Sequence, residues 1–144
     1  MWLRCLADLI FPRKCEICGR LLTGDERYIC EDCMEDMPLT YYWDWPENPA
    51  EKKLWVRTHL HRVIPLFFYT RESRYITLIH KIKYQGKAHL GHHMGFMLGE
   101  KLRGVLSDVD YVVPIPLHPI RRWRRGYNQA EIIAGGVIDA LFGK

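Results

Sequence analysis

Four cysteines constrain this chain more than any other feature: Cys15, Cys18, Cys30 and Cys33 spell C-x2-C-x11-C-x2-C. Each C-x2-C pair fits a tight knuckle that turns two thiolates to one side, and two knuckles supply the four tetrahedral ligands that zinc takes at about 2.3 Å. Gly19 follows the first pair, where such a knuckle often turns through positive φ. The loop between the pairs is shorter than the commonest ribbon spacing, but two knuckles need no fixed separation. Disulfides or redox chemistry are the weaker explanations, because cytosolic thiols stay reduced. Four thiolates leave no position for water, so the zinc is expected to be structural. Cys5 falls outside the spacing and reads as a small buried apolar residue on a first helix.

The rest of the composition is that of a folded protein: 144 residues with 48% hydrophobic and 26% charged side chains exclude disorder and collagen-like repeats, and suit one domain or two small ones. The longest run without Asp, Glu, Lys or Arg is the 12 residues of Ala88–Gly99, too short for a spanning helix of about 20 residues. Arg4 and Asp8 interrupt Met1–Pro12, so it does not read as a signal peptide, and a cytoplasmic location is expected. The net charge of +4 hides a split, with −2 over residues 1–62, +7 over 71–129 and −1 over 130–144. Concentrated positive charge points to a phosphate-bearing partner, the plain alternative being a solvated basic face.

Along the chain the pattern divides into an N-terminal helix and knuckle over 1–36, an aromatic and proline-rich linker over 37–61, and an α/β unit over 62–144. Leu3, Leu6, Leu9 and Ile10 form a helical stripe. In the linker, Tyr41, Tyr42, Trp43 and Trp45 either stack bases or cover the junction with the following domain. Val63–Tyr69 and Tyr111–Ile115 read as buried strands, with Pro65 marking an edge or a late start. Tyr75, Ile76, Leu78, Ile79 and Ile82 give one helical face; Leu90, Met94, Met97, Leu98, Leu102 and Val105 give a second helix beyond a turn at Gln85–Gly86. Ala130–Phe142 is the last helix. Alternating strands and helices imply a parallel sheet.

The segment after the second strand carries the most chemistry. Val113-Pro114-Ile115-Pro116 ends that strand with residues that cannot all donate to a ladder. His118–Gln129 is read as a loop holding Arg121, Arg122, Arg124 and Arg125 around Trp123, with no acid among them. Asn128, with Glu131 three residues on, has the spacing of a capping box and starts a helix whose N-terminal amides add to the arginines as an anion site. Trp123 and Tyr127 are also explained by anchoring the loop, His118 by a plain loop position, and Gly135–Gly136 by close helix–sheet packing.

Together the four-cysteine knuckle, Leu78-Ile79-His80-Lys81-Ile82-Lys83-Tyr84, Val113-Pro114-Ile115-Pro116 and Arg125-Gly126-Tyr127-Asn128-Gln129-Ala130-Glu131 resemble the ComF family of competence-associated, phosphoribosyltransferase-like proteins. The motifs match in order and spacing over most of residues 13–134. The resemblance implies an α/β chain: a zinc ribbon, then an incomplete type I phosphoribosyltransferase-like parallel sheet with helices. It implies structural zinc on Cys15, Cys18, Cys30 and Cys33. It also implies a site for single-stranded DNA or another phosphate-bearing ligand on Arg121, Arg122, Arg124 and Arg125, flanked by Lys83 and Tyr84, with Gly126, Asn128 and Gln129 at the helix start.

One part of that family pattern is missing: a strand ending in two Asp before a Thr-Thr-Gly turn, which would hold ribose hydroxyls, magnesium and the 5′-phosphate. No Ser or Thr follows Ser107. The expectation is therefore an N-terminal piece of a longer protein, in which magnesium and phosphoribosyl pyrophosphate would matter only if the complete protein is an enzyme. Three functions remain open on sequence grounds. They are a DNA-uptake protein binding single strands, a phosphoribosyltransferase inactive as given, and a zinc-dependent module docking on an uptake helicase or another competence protein.

Overall fold

The computed structural model describes residues 12–106 and 108–143, so the helix expected near the N-terminus and Cys5 lie outside the described residues. Six helices occur among them: α1 (Glu31–Glu35), α2 (Pro49–Trp55), α3 (Ile76–Tyr84), α4 (Ala88–Leu102), α5 (Pro119–Arg125) and α6 (Gln129–Phe142). The chain divides into two compact units, one of Met1–Met37 with Tyr69–His80 and one of Pro38–Phe68 with Lys81–Lys144.

The first unit is built on the knuckles. The Cys15 N–H donates to the Arg20 carbonyl at 2.7 Å and the Leu22 N–H to that of Arg13 at 2.9 Å, framing an antiparallel bridge between Lys14 and Leu21. Gly19 turns this hairpin at φ +77°, a conformation that a Cβ would strain, as its place in the motif predicts. Cys30 is the N-cap of α1, so the second pair closes on a helical turn, with Glu31 and Asp32 at the favourable positive end. A return segment seals the unit: the Tyr75 hydroxyl donates to the Cys33 carbonyl at 3.1 Å, and Arg74 pairs with Asp36 at 2.6 Å.

In the second unit, the aromatic segment folds rather than merely connecting. Asn48 caps α2 with a complete capping box closed by Glu51, and Pro49 occupies the first helical position, where its missing N–H costs nothing. The buried Glu51 carboxylate accepts from Arg62 Nε at 2.9 Å and from the Val63 N–H at 3.1 Å; Arg62 also donates to the carbonyls of Tyr42 and Trp43. Burial alone would raise the Glu51 carboxyl, but those donors and the Arg62 charge outweigh it and hold the group below its ordinary 4.5.

The core of this unit is the crossing of α4 and α6, which pack closely at several glycines. A Cβ on Gly95 would sit 2.0 Å from the Ile133 carbonyl oxygen, and one on Gly136 2.0 Å from that of His92. Leu90, Met94, Leu102, Ala134, Val137 and Ala140 fill the buried faces of the pair. Each glycine costs a helix roughly 1 kcal/mol in propensity. Backbone-to-backbone approach, unavailable to larger residues, offsets that cost through dispersion.

The expected parallel sheet is not found: among the described residues there is no ladder, only two isolated antiparallel bridges. Residues 63–69 lie instead beside 38–40, with a bridge between Leu39 and Phe67 and a Phe68 N–H bond to the Pro38 carbonyl at 2.8 Å. Pro38 and Pro65 have no N–H to extend this pairing. The segment expected as the second strand has Tyr111, Val113 and Ile115 each at least 80% exposed. Pro114 and Pro116 remove two of its donors, and two lone strands gain too little to stay paired. The helices expected around Tyr75–Ile82, Leu90–Val105 and Ala130–Phe142 do form, as α3, α4 and α6. Gly135–Gly136 serves helix–helix rather than helix–sheet packing.

Two outcomes follow. Gly95→Ala should lower stability by about 1–3 kcal/mol through overpacking, read as a lower urea midpoint. Gly104→Ala, which meets open space, should leave that midpoint unchanged. Because the folded Glu51 carboxyl lies below its unfolded value, its contribution is present above pH 4.5 and is lost as the pH falls through the lowered value. Glu51→Gln should flatten the acid limb of a fluorescence-monitored pH titration.

Candidate metal centre and basic cleft

The knuckles bring all four sulfurs within 4.8 Å of one another, with Cys15, Cys30 and Cys33 buried and Cys18 exposed. Cys18 Sγ and Cys30 Sγ are 3.6 Å apart. The edge of a tetrahedron with bonds of about 2.3 Å is about 3.8 Å, so the spacing fits zinc. Cys15 Sγ accepts backbone N–H bonds from Ile17 and Cys30, each at 3.4 Å. Burial raises the Cys15 thiol, but the amides of Cys18, Cys30 and Ile17 prevail and draw it down to about 6. Burial and the neighbouring thiols push Cys33 well above its ordinary value. Four thiolates in so small a volume would require a cation, and a divalent ion held by all four would supply it. The four cysteines thus form a candidate structural zinc site of the kind expected from their spacing.

The basic residues gather in the second unit. The segment expected as an arginine loop is the short helix α5, with Pro119 at its first position and Gly126 as a left-handed C-cap at φ +79°. Proline at the start and glycine just past the end mark a helix, and this signature was legible in the sequence. Arg122, Arg124 and Arg125 fall in its last turn, at the negative end of the helix dipole, which relieves some of their mutual repulsion.

A cleft of about 480 Å³ opens between α5 and the end of α3, lined by Lys83, Tyr84, Gly86, Arg121, Arg124 and Arg125. Residues some 40 positions apart in sequence therefore share one concavity. The turn after α5 is tied to α3, the Tyr127 hydroxyl donating to the Ile82 carbonyl. The Arg125 guanidinium lies over the Tyr84 ring, 5.4 Å from its centroid, and donates to Gln129 Oε1 at 3.0 Å. Burial pushes the Tyr127 phenol above its usual value, while the Arg125 charge pulls the other way.

Other expected residues are placed differently. Arg122 is outside the cleft lining and pairs at 3.4 Å with Glu131, an acid nine residues further along the chain that the fold brings close. Asn128 is buried as the N-cap of α6: its Oδ1 accepts from the Ala130 N–H, and its Nδ2 donates to the Ile115 carbonyl and Glu131. Its role is to hold the helix start. Gln129 orients Arg125, and Gly126 ends α5. Tyr127 is an anchor, whereas Trp123 is 87% exposed and anchors nothing among the described residues. Gly86 in the cleft, and the His92–Asp139 contact at 3.0 Å between α4 and α6, were not anticipated; they arise from helices meeting in space and leave no local sequence signal.

The four-cysteine segment has a counterpart among known protein families. Residues 6–42 match the family model described as a double zinc ribbon domain. The described residues hold one four-thiol cluster within that span. Over 62 residues the chain is 31% identical to Competence protein F of Haemophilus influenzae (strain ATCC 51907 / DSM 11121 / KW20 / Rd); the match takes in 40% of this chain and 27% of that protein. No solved structure matches the chain. No helix among the described residues is long and apolar enough to cross a membrane.

The zinc-loaded chain should release metal on treatment with a thiol-reactive mercurial, measured with a chromogenic chelator. Cys33→Ser or prolonged chelation should abolish binding and melt the ribbon, seen as loss of protection in amide exchange over residues 12–37.

Proposed function

We propose that this chain is a ComF-like protein of DNA uptake that holds the phosphates of single-stranded DNA in the basic cleft, the zinc ribbon serving as a structural support. The observation that carries this reading is the convergence of Lys83, Arg121, Arg124 and Arg125 on one concavity. Four cations in a shared cleft form a focused positive potential that attracts a polyanion, and guanidinium groups suit phosphate oxygens through paired donors. The local likeness to Competence protein F and the double zinc ribbon match fit the same assignment.

Binding of a labelled single-stranded oligonucleotide, followed by fluorescence anisotropy, should weaken linearly in log salt. Engagement of all four cations gives a slope of about −3. Arg124→Glu, at an exposed position, should shallow that slope and weaken binding about tenfold or more at low salt. Salt-independent binding, or none by the folded, zinc-loaded chain, would contradict the proposal.

A further inference from the structure

The cleft has one wall that is not cationic. Tyr84 is the last residue of α3, so the helix fixes its backbone, yet its side chain is 70% exposed and makes no part of the core. The Arg125 guanidinium lies over its ring, and Gln129 holds that guanidinium from the side. An aromatic ring so placed contributes little to packing. Beside phosphate-binding cations it is a stacking platform, since every nucleobase offers a π-face and a nearby Arg strengthens the stack.

We infer that Tyr84 receives a nucleobase while the arginines of α5 hold the adjoining phosphates, so the ligand of the cleft is an unpaired nucleotide strand rather than a duplex or a bare polyphosphate. This rests on the phosphate reading of the cleft and adds the element that recognises the base. In a duplex both faces of each base are already stacked, and none can be offered to Tyr84 without unpairing. The other exposed aromatic nearby, Trp123, is two residues from both Arg121 and Arg125. At 3.6 residues per turn it lies about 200° around α5 from each, on the side away from the cleft that those arginines line. Tyr84 is therefore the base-reading residue.

The test compares two labelled oligodeoxynucleotides of about 12 residues with identical charge, one of thymidine and one fully abasic, on the full zinc-loaded chain. The thymidine strand should bind roughly 5- to 100-fold more tightly. Tyr84→Ala should bring it down to the abasic level, and Tyr84→Phe should keep the preference. Zinc content and circular dichroism establish that each variant is folded. Equal binding of both strands by the wild type overturns the base-reading role while the phosphate reading stands. Binding of neither overturns both. A preference that survives Tyr84→Ala and disappears with Trp123→Ala overturns the assignment to Tyr84.

Discussion

The close contact between α4 and α6 is the constraint on which the second unit depends. Glycines on both helices let one backbone rest on the other, and no larger residue could occupy Gly95 or Gly136 without forcing the helices apart. Arg103 secures the far end, with Nε donating to the Ala140 carbonyl at 3.0 Å. With α6 held in this way, its N-terminal turn is fixed, and everything attached to that turn is fixed with it. Asn128 ties it to Ile115, Gln129 steadies Arg125, and Glu131 draws Arg122 aside. The cleft is therefore a consequence of helix packing on one side and of the Tyr127–Ile82 bond on the other.

The ribbon unit follows a different logic. Leu22, Ile29, Met37, Tyr75 and Leu78 are buried in it, and the four thiols and hydrogen-bonded turns add to that small apolar core. Glu26 shows how: its carboxylate accepts from the backbone N–H groups of Thr23 at 2.6 Å and Glu31 at 2.8 Å, while Arg20 bridges it to Asp32. Backbone donors around Cys15 favour its thiolate, and burial of Cys33 opposes that form. A cation would balance such a cluster, and its binding is expected to be coupled to the folding of this unit.

In the cleft, charge is sorted by geometry. Of the four clustered arginines, Arg122 is turned to an acid and Arg125 is stacked and hydrogen-bonded, leaving Arg121 and Arg124 as exposed cations of the cleft lining. One cation held by Tyr84 and Gln129 thus stands beside two exposed ones that a polyanion can reach directly.

The sequence by itself determined the ribbon, its four candidate ligands and the turn at Gly19, because ligand spacing and positive φ are local requirements. It also determined α3, α4 and α6, whose apolar faces recur at helical period, and the identity of the basic residues. Pro119 and Gly126 mark α5 as well, but only the tertiary structure decided that Trp123 faces outward, that Lys83 and Tyr84 meet Arg121, Arg124 and Arg125, and that Glu131 removes Arg122 from the group. It decided too that residues 63–69 and 111–115 form no sheet among the described residues. β-Branched composition signals a strand, but a ladder needs a partner with free donors, and prolines at 38, 65, 114 and 116 leave too few. Which partner a strand finds, and which charges share a cleft, are non-local properties that residue spacing does not encode.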